Sequence, residues 1–146
     1  MHNTLYMIIA GSRDYSDYAE FVKVIERERE DFKQKYLYVV SGGARGADTM
    51  AEQFAMYNRH ELKVFKADWN KNGKSAGYIR NAEMHNYIKQ FEHRVCLCFW
   101  DGQSKGTQHN FQLAINNNTP LYVYNYNNHE LIKRHSFDSK CEVLKI

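Results

Sequence analysis

The sequence predicts an α/β fold with a mainly parallel sheet of about five strands and helices on both of its faces. Three observations predict it. Short β-branched or aromatic runs alternate with longer segments whose apolar residues recur at helical spacing. The strand-like runs are nearly continuous in apolar character, as strands covered on both faces must be. Every one of the eight glycines follows one of the first four strand-like runs, and none lies in a helix-to-strand turn. The length of 146 residues fits one domain, and no linker or internal repeat divides residues 1–146.

Leu5-Tyr6-Met7-Ile8-Ile9-Ala10 is the first strand. Asp17 and Glu20 have capping-box spacing, and Tyr18, Phe21, Val22, Ile25 and Phe32 then recur at helical intervals. The alternating charges from Glu26 to Asp31 read as a solvated face of that helix. Tyr36 to Val40 is the second strand, followed by a helix over residues 47–58 with Ala51, Phe54 and Ala55 turned inward. Leu62 to Phe65 is the third strand, and a long polar loop leads to a helix over 76–91 that buries Ile79, Met84, Tyr87 and Ile88. Arg94 to Trp100 is the fourth strand, with Cys96 and Cys98 on one face as small core residues, and Phe111, Leu113, Ala114 and Ile115 mark the next helix. Leu121 to Tyr124 is the fifth strand, introduced by the sole proline, Pro120. Residues 126–146 form an extension of ambiguous structure, in which Cys141 to Ile146 is a candidate edge strand.

Composition narrows the class. With 43% hydrophobic and 25% charged residues the chain can bury a core and is not a disordered segment. Twenty basic against 17 acidic residues give a net charge of +3, too little for a polybasic membrane anchor or for nucleic-acid binding by bulk charge. The start Met1-His2-Asn3-Thr4 lacks signal-peptide character, and no apolar stretch nears the ~20 residues of a membrane span. The three cysteines, Cys96, Cys98 and Cys141, lack zinc-site spacing, so a reduced, cytoplasmic setting is expected and no metal is implied.

The glycine placement points to a ligand. Strand-to-helix loops of a parallel sheet all emerge at its carboxyl edge, where ligands bind. Glycine there lets backbone approach a guest, and helix N-termini behind the loops offer N–H groups to phosphate. Tight turns alone account for one or two glycines per loop, but not for their absence from the opposite edge. Each loop also carries a cation and small hydroxyl residues suited to phosphate. The first loop has Gly11, Ser12, Arg13 and Asp14; the second has Ser41, Gly42, Gly43, Arg45, Gly46 and Asp48. The third has Asp68, Trp69, Lys74, Gly77, Arg80 and Asn81; the fourth has Asp101, Gly102, Ser104, Lys105, Gly106 and Thr107. Asp14, Asp48, Asp68 and Asp101 are candidates to accept from ribose hydroxyls or a base edge. Asp48 is equally a helix cap or a partner for Arg45. Trp69 either stacks on a base or packs against the fold.

Familiar motifs are excluded. Gly42-Gly43-x-x-Gly46 is not GxGxxG, because its first two glycines are adjacent. Gly73-Lys74-Ser75 imitates the end of a P-loop, but Asp68 stands where the first glycine belongs. No HExxH or GxSxG motif is present, and His85, His93 and His109 are isolated.

Four segments together are similar to a known family. GSRDY (11–15), VVSGGARGADTMAEQFA (39–55), ADWNKNGKSAGYIRNAEM (67–84) and FWDGQSKGTQHNFQLA (99–114) resemble the YspA (cpYpsA-related) branch of the SLOG superfamily, over residues 5–125. The resemblance implies a Rossmann-like three-layer sandwich that binds a nucleotide or nucleotide-derived ligand at these loops, often as a homo-oligomer, with no cofactor. It implies phosphate contacts from Ser12, Arg13, Gly42, Gly43, Arg45, Gly46, Ser104, Gly106 and Thr107. Arg80 and Asn81 would hold phosphate or ribose, and Asp68 with Trp69 would meet sugar or base. The superfamily also contains lonely-guy phosphoribohydrolases, whose R-x-x-x-M is matched by Arg80 and Met84. Their PGGxGTxxE is matched at Gly106 and Thr107 only: Asn110 replaces the glutamate, and Gly102-Gln103-Ser104 replaces PGG. Asparagine cannot exchange the proton that acid–base cleavage requires.

Two readings therefore stand side by side. One is a module that senses or sequesters a phosphorylated nucleotide derivative. The other is an N-glycosidic hydrolase with Arg80 orienting phosphate and Glu83 or Asp14 supplying a carboxylate. Single-stranded DNA binding, by analogy with DprA-type relatives, is a third and less favoured reading, because Tyr6, Tyr36, Tyr38, Tyr122 and Tyr124 fall in strands rather than on a stacking platform. The asparagine-rich, proline-poor composition fits an AT-rich source such as a phage.

Overall fold

The structure is a computed structural model that describes residues 4–30 and 36–135 and the backbone of 141–145. Seven strands form one sheet in the order β3-β2-β1-β4-β5-β6-β7. They are β1 (Thr4–Gly11), β2 (Tyr36–Ser41), β3 (Glu61–Val64), β4 (Arg94–Trp100), β5 (Leu121–Asn125), β6 (Glu130–Arg134) and β7 (Cys141–Lys145). The first five are parallel, with β1 at the centre between β2 and β4, and β6 and β7 add an antiparallel edge. The expected Rossmann-like sheet is present and is longer by two strands.

Alternation along β1 explains its unbroken apolar run. Leu5, Met7 and Ile9 face a core layer built with Phe21, Val24 and Ile25 of α1 (Tyr18–Arg29) and Ala47, Ala51 and Phe54 of α2 (Ala47–Tyr57). Ile8 and Ala10 face the other layer, with Met84 and Ile88 of α4 (Ala76–Ile88) and Ala114 of α5 (Lys105–Asn116). Phe99 anchors the first layer, stacked 4.7 Å from Phe21 and 5.3 Å from Tyr15. Burial of such a ring contributes about 1.5–3 kcal/mol. Cys96 and Cys98 lie fully buried on one face of β4 with sulfurs 3.7 Å apart. Pro120 stands just before β5, where its carbonyl accepts from Cys96 N–H and its missing N–H costs nothing.

Several expectations are corrected. The helix after β3 stops at Ile88 rather than residue 91, and Phe91 turns back to stack on Tyr6 with ring centroids 3.7 Å apart. Ile79, expected inward, is exposed at 41% on the outer face of α4, and Tyr36 is exposed at 63% where β2 begins. The polar loop after β3 contains a short helix α3 (Trp69–Asn72) and a 3₁₀ turn at Gly73–Ser75. Asp17 caps α1 as spaced, accepting from Glu20 N–H at 3.0 Å, but Glu20 does not complete the box. Its carboxylate accepts instead from the hydroxyls of Tyr15 at 2.7 Å and Tyr124 at 2.6 Å. The charged run on α1 is not all solvated. Glu28 is buried and meets Lys133 of β6 at 2.5 Å. Asp31, Phe32 and Ile146 lie outside the described residues. Among the described residues no helix is long and apolar enough to cross a membrane.

Candidate functional site

In this strand order the chain reverses direction across the sheet between β1 and β4, so the loops leaving their carboxyl ends diverge and open a crevice. The structure places a cavity of about 420 Å³ there, lined by residues of all four loops.

The loops are drawn together by close backbone contacts. Ser12 N–H donates to Phe99 C=O at 2.9 Å, and Asp101 N–H donates to Ser12 Oγ at 3.2 Å, which ties the first loop to the fourth. Gly46 has φ +76°, and a Cβ there would lie 2.4 Å from Ser12 C=O, so the second loop reaches the first only through glycine. A Cβ on Gly42 would lie 2.8 Å from Arg80 Nη1 and 2.9 Å from Asp48 Oδ2, so its absence makes room for two buried groups of opposite charge that act on each other without direct contact.

Arg80 is held from two sides by the protein itself. Its Nη1 donates to Gly42 C=O and its Nε donates to Asn81 Oδ1 at 2.9 Å. Asn81 in turn directs its amide towards Gly106 C=O at 3.5 Å and His109 Nδ1 at 3.3 Å. Burial pulls the Arg80 guanidinium below its ordinary value, with Arg13 adding to the effect and Asp48 opposing it. Burial pushes Asp48 up to about 6, against the Ala44 N–H bond at 3.2 Å and the attraction of Arg80. Asp48 neither caps α2, whose N-cap is Gly46, nor pairs with Arg45. Arg45 instead meets Asp14 at 3.7 Å, both of them exposed.

The mouth is aromatic and cationic. Trp69 is half exposed, and the Arg13 guanidinium lies 5.9 Å from its ring centroid. Tyr78 stands edge-on to His109 at 4.6 Å. On the opposite wall, Ser104 caps α5 by accepting from Thr107 N–H at 3.4 Å, and Ser104, Gly106 and Thr107 at this helix start line the cavity. Burial alone would raise Asp101, but the N–H groups of Ser104 and Gln103, each at 2.8 Å, outweigh it and hold the carboxyl below its ordinary range. Asp101 is thereby committed to shaping its own loop.

Of the residues singled out in the sequence, the cavity collects Gly11, Ser12, Arg13, Asp14, Arg45, Asp48, Trp69, Gly77, Arg80, Asn81, Ser104, Gly106 and Thr107. Ser41, Gly42, Gly43 and Gly46 stand behind them and do not line it: Ser41 Oγ accepts from Gly43 N–H and bonds Glu52 Oε2 at 3.1 Å. Asp68 caps α3, accepting from Lys71 N–H at 3.0 Å, and Gly102 turns the fourth loop with φ +90°. Glu83 is exposed on α4 and away from the cavity. Lys74 and Asp101, named in the sequence as a loop cation and a candidate acceptor, line it too, and so do Ala10, Ala44, Tyr78, Met84 and Asn110, which the sequence did not mark as ligand contacts. Helical spacing was the available signal for two of them: Met84 lies four residues after Arg80 and Asn110 three after Thr107, on the same faces.

A family model described as YAcAr: YspA, cpYpsA-related SLOG family matches residues 6–72. That span holds the first two loops and ends before α4 and α5. Gene 61 protein of Mycobacterium phage D29 is 38% identical over 109 residues, covering 70% of this chain and 82% of that protein. Among solved structures, the single-stranded DNA-binding DNA processing protein A from Helicobacter pylori aligns with a TM-score of 0.58 at 19% identity. The alignment covers 82% of this chain and 64% of that one, so the chain spans less than two thirds of its length, and the likeness is one of fold.

Proposed function

Because this chain belongs to the YspA, cpYpsA-related SLOG family, we propose that it binds a phosphorylated nucleotide or nucleotide derivative at the carboxyl edge of its sheet, as a sensor or sequestering protein. One observation carries this reading: four loops distant in sequence line one cavity of about 420 Å³, within the ~300–1,000 Å³ usual for small-molecule sites. Arg13, Arg45, Lys74 and Arg80 supply positive charge around it, and the α5 N-terminus with Gly106 and Thr107 suits a phosphate. Trp69 and Tyr78 at the mouth suit a base.

Hydrolysis is disfavoured on the same grounds. Asn110 lines the cavity at the position where a glutamate is needed, Glu83 is turned away, and Asp14, although it lines the cavity, is 92% exposed at the rim and beside Arg45. Mass spectrometry of small molecules released from heat-denatured protein identifies the guest. A panel of nucleoside mono- and diphosphates, ADP-ribose and cyclic nucleotides is then followed by thermal shift and by chromatography for free base. A stabilising ligand recovered intact, with the shift abolished in Arg80→Ala, is the expected result. Free base released by the wild type and not by Arg80→Ala makes the protein a glycosidase instead. A stabilising response to oligonucleotides alone, lost with rising salt, transfers the site to single-stranded DNA.

A further inference from the structure

The inner face of α5 presents Gly106, Thr107 and then Asn110, one turn deeper into the cavity. Asn110 is 3% exposed, and its Oδ1 lies 3.0 Å from Nε2 of His85, a histidine of α4 that is itself 1% exposed. The contact by itself permits two arrangements: either the ring donates to the amide oxygen, or an amide N–H donates to the ring. The far side of the imidazole decides between them. His85 Nδ1 is sealed from solvent with no nitrogen or oxygen partner among the described residues, and the ring's other neighbour is the buried thiol of Cys96, whose S–H can donate only to a bare ring nitrogen. A bare lone pair is tolerated there far better than an N–H, since an orphaned buried donor costs about 1–3 kcal/mol. The proton therefore sits on Nε2, the ring donates, and Asn110 accepts through Oδ1.

The amide nitrogen of Asn110 is then left over. It makes no hydrogen bond among the described residues, and unlike His85 Nδ1 it is not sealed from solvent. Its residue lines the cavity, so the N–H₂ group faces the space inside. We propose that Asn110 selects the group the guest inserts at the cavity floor: an oxygen carrying no proton (carbonyl, ether or phosphoryl) is admitted, and an amino group is rejected, with His85 as the positioning residue that fixes the amide. The choice follows from cost: a donor facing a donor leaves two buried N–H groups unpaired, whereas an acceptor satisfies the one already there.

The inference rests on the nucleotide-binding reading for the identity of the guest, but its first test does not. Nitrogen-15 spectra of the imidazoles in the free protein are expected to show His85 protonated at Nε2 and bare at Nδ1. A ring bare at Nε2 and protonated only at Nδ1 overturns the proposal whatever the protein binds. The second test titrates ADP-ribose into wild type and three variants. Asn110→Asp, which replaces the donor with an anionic acceptor of the same size, is expected to weaken binding roughly tenfold or more. His85→Leu, which frees the amide to turn, weakens it less, and His85→Gln, which keeps an N–H near the Nε2 position, restores it at equal thermal stability. Unchanged affinity in Asn110→Asp overturns the proposal. If wild type binds neither ADP-ribose nor any nucleotide, the reading of the guest falls, while the His85 tautomer still decides how Asn110 is held.

Discussion

Glu28 and Lys133 meet at 2.5 Å between α1 and β6, with their side chains 1% and 8% exposed. Arg80 and Asp48 are almost as deeply buried, yet they lie in the wall of a cavity and both line it. The first pair is closed: each charge has its partner, and the fold uses both. The second is open. Arg80 bonds Gly42 and Asn81 through Nη1 and Nε, which leaves N–H groups on Nη2 for something else, and Asp48 is pushed up to about 6 by burial. Charged groups held at a cost on the side where a guest would enter mark a site, whereas charges that cancel mark packing.

The largest expected effect breaks the closed pair. Lys133→Met leaves buried Glu28 with only its longer contact to the half-exposed Arg27, 3.5 Å away, and the urea midpoint should fall by the equivalent of about 3 kcal/mol. Glu28→Leu combined with Lys133→Met should recover most of that loss, because two apolar side chains remove both desolvation penalties together. Ligand binding should survive in the double variant. A single variant as stable as wild type would mean that the sealed pair contributes nothing, and the contrast with the cavity would fail.

The next effect concerns the open pair and depends on pH. The folded protein holds the Asp48 proton up to about pH 6, whereas the unfolded chain releases it near 3.8. Between those values the folded state carries more protons, so this group makes stability fall as pH rises through the window. Above pH 6 its full penalty is present, on the order of 3 kcal/mol as a ceiling. Asp48→Asn should therefore be more stable than wild type at pH 7, with the advantage shrinking as pH falls towards 4. Arg80, Arg13 and Glu52 also act on Asp48, and their net effect is contained in the raised value. Denaturation midpoints at several pH values check the sign; a variant less stable at pH 7 than at pH 5, relative to wild type, would show that Arg80 needs the carboxylate more than burial penalises it. Anion binding should tighten from pH 7 to 5 in wild type, as Asp48 loses its charge, and stay level in Asp48→Asn.

The parallel part of the fold was legible because strands covered on both faces carry no polar alternation to confuse them, as β1 and β4 show. Strand β6 was not, because one of its two inward positions is Lys133 rather than an apolar residue, and its partner Glu28 lies more than 100 residues earlier in an alternating charge run. Local charge pattern cannot reveal a long-range pair. The cavity was legible through its glycines and cations, which loop geometry demands in recognisable residue types. What escaped was the division of labour within each loop. Ser41 and Gly42 look like ligands in the sequence, but they build the wall that holds Asp48 and Arg80. Asn110 looks like the loss of a carboxylate, and only its buried contact with His85 gives it a role.

The smallest effect separates charge from burial. Arg45 and Asp14 also line the cavity and also carry opposite charges, but they are 74% and 92% exposed and 3.7 Å apart. Water screens such a pair, and holding two mobile side chains offsets most of its attraction. Arg45→Ala and Asp14→Ala should each leave stability within about 0.5 kcal/mol of wild type. Their influence on a phosphorylated guest acts through the field at the mouth, so affinity should fall in Arg45→Ala and rise in Asp14→Ala, each by no more than roughly threefold, and the difference should vanish at high salt. A larger, salt-resistant loss in Arg45→Ala would place its guanidinium in direct contact with the guest. The working part of the site would then extend from the buried wall to the exposed rim, and burial would no longer distinguish the groups that hold the guest from those that only attract it.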